Sequence, residues 1–206
     1  MRQHRIFAAA YDRITAPLEH AIQGGERRAR LLGALDGQIL DVGAGTGANL
    51  PHYRQASHVT AAEPDPAMRR RLAAKTAAAR VPVTVTSDTA ESLRHADASF
   101  DAVAFTLVLC SVSDPDRALA EARRVMRPSG RLLVLEHVRG TGSLARWQDR
   151  VTPVWSLVNA GCHPNRDIAA AIERAGFTIE KAEHFDPFPR WIPARPFLEA
   201  VAAPGS

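Results

Sequence analysis

Residues 39–50 read ILDVGAGTGANL. A short apolar run passes through Asp41 and Val42 into Gly43, Ala44, Gly45, Thr46 and Gly47. Glycines so placed let a strand end in a sharp turn and let a ligand approach the main chain, because no Cβ stands in the way. The pattern predicts a strand over Gln38–Val42, a loop over Gly43–Gly47 and a helix over 47–55, with Pro51 near its start, where proline is tolerated. Glu63 follows Gly43 by twenty residues, the separation at which an acidic group at the end of the next strand accepts ribose hydroxyls. Two ligand classes remain open at this point, since Gly43, Gly45 and Ala48 also satisfy the GxGxxA pattern of dinucleotide sites.

Outward from the loop, strand and helix patterns alternate, which argues for an α/β fold with a seven-stranded, mostly parallel sheet and helices on both faces. Further strands are expected at His58–Ala62, Val81–Thr86, Phe100–Leu109, Arg131–Val138, Phe177–Phe185 and Phe197–Ala202. Helices are expected over 18–35, 66–79, 114–126 and 165–175. The first carries Leu18, Ile22, Leu31, Leu32 and Leu35 on its apolar side and is open to interruption at Gly24-Gly25. Asp65 stands where it caps the second, and Leu119, Ala122 and Val125 share a face of the third. Pro128-Ser129-Gly130 is expected to end that third helix. Residues 139–165 fit no sheet element and read as a helix plus a loop over the sheet's functional edge. The proline-rich PFPRWIPARP, 187–196, reads as an irregular connector. The whole chain, 1–206, is expected to be one domain, with 1–37 as an N-terminal helical cap and 139–165 as a substrate-side insertion.

The net charge is +4, and of 26 basic residues only Lys75 and Lys181 are lysines. Those charges are dispersed, without the basic stripe or stacking motif of a nucleic-acid surface, so no nucleic-acid partner is expected. No apolar run is long enough to span a bilayer, and the N-terminal patch is broken by Asp12 and Arg13. A cytoplasmic protein without membrane insertion follows as the default. Cys110 and Cys162 belong to no CxxC pair, so neither a metal site nor a disulfide is expected.

Four stretches carry a resemblance: ILDVGAGTGANL, AAEPDPAM, AESLRHADASFDAV and RRVMRPSGRLLVLEH. In this order and spacing they resemble the successive motifs of class I S-adenosylmethionine-dependent methyltransferases, which implies a Rossmann-like fold, S-adenosylmethionine as cofactor and S-adenosylhomocysteine as product. Asp41 supports that side of the choice: a pyrophosphate would meet a like charge there, whereas a sulfonium bearing an ammonium group would be attracted. TLVLCSVSD, Glu136-His137 and DRVTPVWSLVNAGCHPNRD are similar, more narrowly, to the methyltransferase-like protein 7 group of small thiol S-methyltransferases. Animal members of that group carry an N-terminal membrane anchor, which is not expected here. The rivals are O- or N-methylation of a metabolite or lipid headgroup, and an NAD-dependent oxidoreductase.

The resemblance implies roles by position. Gly43, Ala44, Gly45, Thr46, Gly47 and Asn49 shape the cofactor loop, Asp41 attracts the ammonium directly or through water, and Glu63 holds the ribose. Pro64 and Met68 pack on the adenine, although Met68 fits plain core equally well. Asp88, Thr89 and Ala90 follow the third strand at the adenine edge, with Asp88 a candidate acceptor for its amino group. Thr106 and Leu107 stand beside the methionine part, and Tyr11 either closes the pocket or belongs to the core. His137, at the C-terminal end of the fifth strand, is a candidate general base or a structural histidine. Cys110, Trp147, Trp155 and His163 are candidates for the methyl acceptor's surroundings. Cys110 reads as a buried inert thiol rather than a nucleophile, and Trp147, Trp155, Phe188 and Trp191 line an apolar pocket or serve as packing.

Overall fold

A computed structural model describes residues 16–205. Tyr11, and its expected place over the pocket, lies outside the described residues. Those residues build one seven-stranded sheet: β1 (Asp36–Val42), β2 (Gln55–Ala62), β3 (Val83–Thr86), β4 (Phe100–Thr106), β5 (Met126–His137), β6 (Phe177–Phe185) and β7 (Phe197–Pro204). Its order is β3-β2-β1-β4-β5-β7-β6. Every pairing from β3 to β5 is parallel, and β7 runs antiparallel to both β5 and β6. The helices are α1 (Gly24–Leu32), α2 (Pro66–Thr76), α3 (Pro115–Val125), α4 (Gly142–Val158) and α5 (Ile168–Arg174).

Side chains on a strand alternate between faces, and the core divides accordingly. Leu40 and Val42 of β1, Val103 and Phe105 of β4, and Leu132 and Val134 of β5 pack with α3 and α5 through Leu119, Ala122, Val125, Ile168 and Ile172. Their alternates Ile39, Ala102, Ala104, Leu133 and Leu135 pack on the other face with Leu31 and Leu32 of α1 and with Tyr53. The central strands are therefore apolar on both sides, as parallel strands covered by helices must be.

Several expectations shift. The helix expected over 18–35 breaks at Gln23, whose φ of 52° is left-handed, so residues 16–21 and α1 are separate pieces. Instead of a helix over 47–55 there is a 3-10 turn, Leu50–His52, after which β2 begins at Gln55. The Asn49 amide turns inward to Asp41, and Tyr53 is extended, so the turn cannot propagate. Pro128-Ser129-Gly130 lies within β5, which starts at Met126; the strand crosses these residues at a register shift against Phe100–Ala102. Asp65 does cap α2, its Oδ1 accepting from the Ala67 and Met68 amides at 2.7 and 2.9 Å. Among the described residues no helix is long and apolar enough to cross a membrane.

Candidate active site

The parallel strands deliver their C-terminal ends to one edge, where α/β sheets build their sites. β1 ends on Val42, and Gly43 turns the chain at φ 67°. A Cβ there would stand 2.6 Å from Val108 Cγ2, so both backbone and packing demand glycine. Gly45, at φ 58°, differs: a Cβ built there would meet nothing nearer than 3.9 Å, leaving open space above the loop. That space belongs to a cavity of about 300 Å³ lined by Gly43–Thr46, Ala48, Asn49, Thr106, Leu107, Ala16, Glu19 and Arg28. Leu107 holds a left-handed φ of 60° at its wall, a conformation uncommon for a side-chain-bearing residue and enriched at functional sites.

Beneath the loop runs a polar chain. Arg28 Nε donates to Asn49 Oδ1 at 2.8 Å, and Asn49 Nδ2 donates to Asp41 Oδ1 at 2.7 Å and to Thr106 Oγ1 at 3.0 Å. Arg28 is further held by Glu19 through both carboxylate oxygens. Asp41 is fully buried, and its Oδ2 has no partner among the described residues. Burial pushes its carboxyl up to about 7, against the opposing pull of Asn49, the Arg28 charge and the neighbouring Tyr53 hydroxyl. Arg28 and Glu19 were not singled out from sequence; their only mark there is a position on a surface-type helix, which does not distinguish them from other charged residues.

At the end of β2, Glu63 accepts from the Gly45 amide through Oε2 at 2.9 Å and from the Asp65 amide through Oε1 at 2.8 Å. Burial raises its carboxyl, while those two N–H groups pull it back. The carboxylate is thus fixed beside the loop, and each oxygen keeps a further lone pair.

The remaining expected residues are distributed. Met68 packs on Ala67, and Ala90 belongs to the main core. Pro64 follows Glu63, and its carbonyl accepts from Arg69. Thr89 forms an isolated bridge with Ser92. Asp88 is ion-paired through Oδ1 with Arg94 at 2.6 Å and is not among the residues lining the cavity. Trp147 is half exposed on α4 and Trp191 is exposed, while Phe188 packs against Phe197, and none of the three is among the described residues lining the cavity. Trp155 Nε1 donates to Cys162 Sγ at 3.1 Å. His163 Nδ1 sits 2.6 Å from the Gly161 carbonyl. His137 Nε2 lies 3.2 Å from Cys162 Sγ rather than in the cavity wall.

The cavity, its glycine floor and the two buried carboxylates at the ends of β1 and β2 can now be set beside known proteins. A family model described as a methyltransferase domain matches residues 40–134. Human thiol S-methyltransferase TMT1A is 36% identical over 169 residues, covering 80% of this chain and 69% of its own length. The chain belongs to this family of S-adenosylmethionine-dependent methyltransferases. Another family member, mouse thiol S-methyltransferase TMT1B, is 38% identical over the same share of each chain, 80% and 69%. The structure of a putative methyltransferase in complex with the Haloferax volcanii Trm112 activator has the same fold, with TM-score 0.74 and 16% identity across 98% of both chains. Membership removes the oxidoreductase alternative: the enzyme is a methyltransferase, and its GxGxxA match is a by-product of the loop's glycines.

Proposed function

We propose that this methyltransferase S-methylates a small apolar thiol. The observation that carries the reading is the likeness to thiol S-methyltransferases across 80% of the chain. The cavity agrees with it. No imidazole is among the described residues that line it, and its carboxylate, Glu19, is tied to Arg28. A thiol tolerates such a wall, because its reference pKa of about 8.5 leaves a few per cent as thiolate near pH 7 without a strong base. A hydroxyl acceptor has more need of a base.

The chain's residues fit S-adenosylmethionine on two observations: the unpartnered, buried Asp41 Oδ2 suits an ammonium group, and the open space over Gly45 admits a ligand against the main chain. Asp41 and Asn49 would hold the amino acid end and Glu63 the ribose. When bound, the cofactor supplies a sulfonium-borne methyl that a thiolate takes by in-line displacement. The protein's part is alignment and exclusion of water, which suffices when the nucleophile arrives ionised. Asp41 and Glu63 keep their orientation through Asn49, Gly45 and Asp65, so binding demands little rearrangement.

The test is incubation with methyl-labelled cofactor and a panel of small thiols, phenols and amines. Label is expected on thiols. Label on phenols or amines with none on any thiol would overturn the acceptor class while leaving the methyltransferase intact.

A further inference from the structure

Two cysteines and a histidine from three separate places meet beyond the ends of β4 and β5. Cys110 follows β4, His137 ends β5, and Cys162 lies in the turn after α4; all three are buried. The turn is drawn there by main-chain bonds, with the His163 amide donating to the Cys110 carbonyl at 2.8 Å and the Arg139 amide to the Arg166 carbonyl at 2.8 Å. Arg166 Nη1 adds a bond to the Leu109 carbonyl at 2.6 Å. Cys110 Sγ, His137 Nε2 and Cys162 Sγ consequently lie within 4.8 Å of one another.

We propose that Cys110, His137 and Cys162 form a site for a thiophilic divalent cation of the zinc class. Zinc bonds of about 2.3 Å to sulfur and about 2.0–2.1 Å to nitrogen, at tetrahedral angles, place donor atoms roughly 3.5–3.8 Å apart. The observed Cys162–His137 separation of 3.2 Å needs only a small expansion to reach that. Both sulfurs also have the outer partners that metal thiolates take: Trp155 Nε1 donates to Cys162, and Ser111 Oγ lies 3.3 Å from Cys110 Sγ.

A second feature points to a missing cation. Glu136 is fully buried, with Oε1 accepting from the Val108 and Leu109 amides and Oε2 unpartnered among the described residues. Two thiols and a carboxyl thus gather close to Arg166, whose Nη1 is held on the Leu109 carbonyl. A divalent ion would balance two thiolates directly, and thiolates are the form in which cysteine binds metal. Three protein donors leave one tetrahedral position for a water or another small donor. The ligands come from two loops and a strand end, so no sequence spacing discloses them.

The experiment strips the reduced protein with a chelator and titrates it with Co²⁺, then displaces cobalt with Zn²⁺. One cobalt per chain is expected, with intense tetrahedral visible bands and a thiolate-to-cobalt charge-transfer absorption that zinc abolishes. Cys110→Ser and Cys162→Ser should each weaken binding by at least about a hundredfold, and His137→Gln by at least about tenfold. Binding of S-adenosylhomocysteine, followed separately, reports whether each variant is folded. If a variant fails that check, the wild-type titration decides alone. Absence of stoichiometric cobalt in the reduced wild type overturns the site, as does a cobalt spectrum without thiolate charge transfer.

Discussion

At the scale of single residues, the proposed cofactor assignment rests mostly on Asp41. It is fully buried, one oxygen is fixed by Asn49, and the other has no partner. Replacing either Asp41 or Glu63 by Ala is expected to weaken S-adenosylhomocysteine binding at least about tenfold by calorimetry, equivalent to roughly 1.4 kcal/mol. Unchanged affinity in both variants would remove the cofactor assignment. A pH dependence follows from the same group. With the carboxyl near 7, it is largely protonated in the free enzyme below that pH. A bound ammonium favours the ionised form, so affinity should fall as pH drops from 7.5 to 5.5, approaching about tenfold per unit. Asp41→Asn should flatten that slope. Sequence made Asp41 and Glu63 legible because each ends a strand at a fixed distance from the glycines. It left Arg28 and Glu19 unmarked, because a charged pair on a helix acquires its meaning only from what the helix faces.

At the scale of elements, α4 shows how the substrate-side segment is attached. Gln148 is fully buried, accepts from the Gly140 amide at 2.8 Å, and directs its Nε2 at the carbonyls of Val138, Pro164, Pro193 and Arg195. One side chain thus joins α4 to the end of β5, to the turn after α4 and to the connector before β7. Gln148→Ala leaves buried polar groups unmade and should cost about 2–3 kcal/mol in denaturant unfolding. Gln148→Glu has the same shape but aims a carboxylate at carbonyls, so it should be at least as damaging. A milder effect of Glu than of Ala would contradict this role. The sequence indicated a helix and a loop here because the segment fits no sheet element, yet its anchor was invisible: a glutamine reads as surface until its four carbonyls are known.

At the scale of the whole molecule, the antiparallel end of the sheet is tied to α1 through charge. Glu199 of β7 accepts from Arg27 at 2.9 Å and from Arg30 at 2.6 Å, and Arg27 also reaches Glu183 of β6 at 3.0 Å. The Arg27 guanidinium lies 3.3 Å from the centroid of the Phe185 ring. Arg27 and Glu199 are buried, so Glu199→Ala strands a desolvated cation. That should cost about 3 kcal/mol, near the lower end for a broken buried pair because Glu183 remains. Arg30 is more than half exposed, and Arg30→Ala should cost no more than about 1 kcal/mol. Equal losses for the two, read from urea midpoints, would contradict the burial argument.

The sequence by itself determined the sheet, the glycine loop and the two carboxylates beside it. Those follow from local causes: short apolar runs bounded by turn residues, backbone angles that demand glycine, and a strand length that carries Glu63 to the same edge as Asp41. The same local causes misplaced the segment after the loop, because the Asn49 side chain chose a buried partner over helix propagation. Only the tertiary structure decided that Arg28 and Glu19 face the cavity, that Asp88 is taken by Arg94, and that Cys110, His137 and Cys162 converge. Each of these depends on which remote surfaces pack together, and the packing is set by the core as a whole, so residues far apart in the chain become partners with no signal in their spacing.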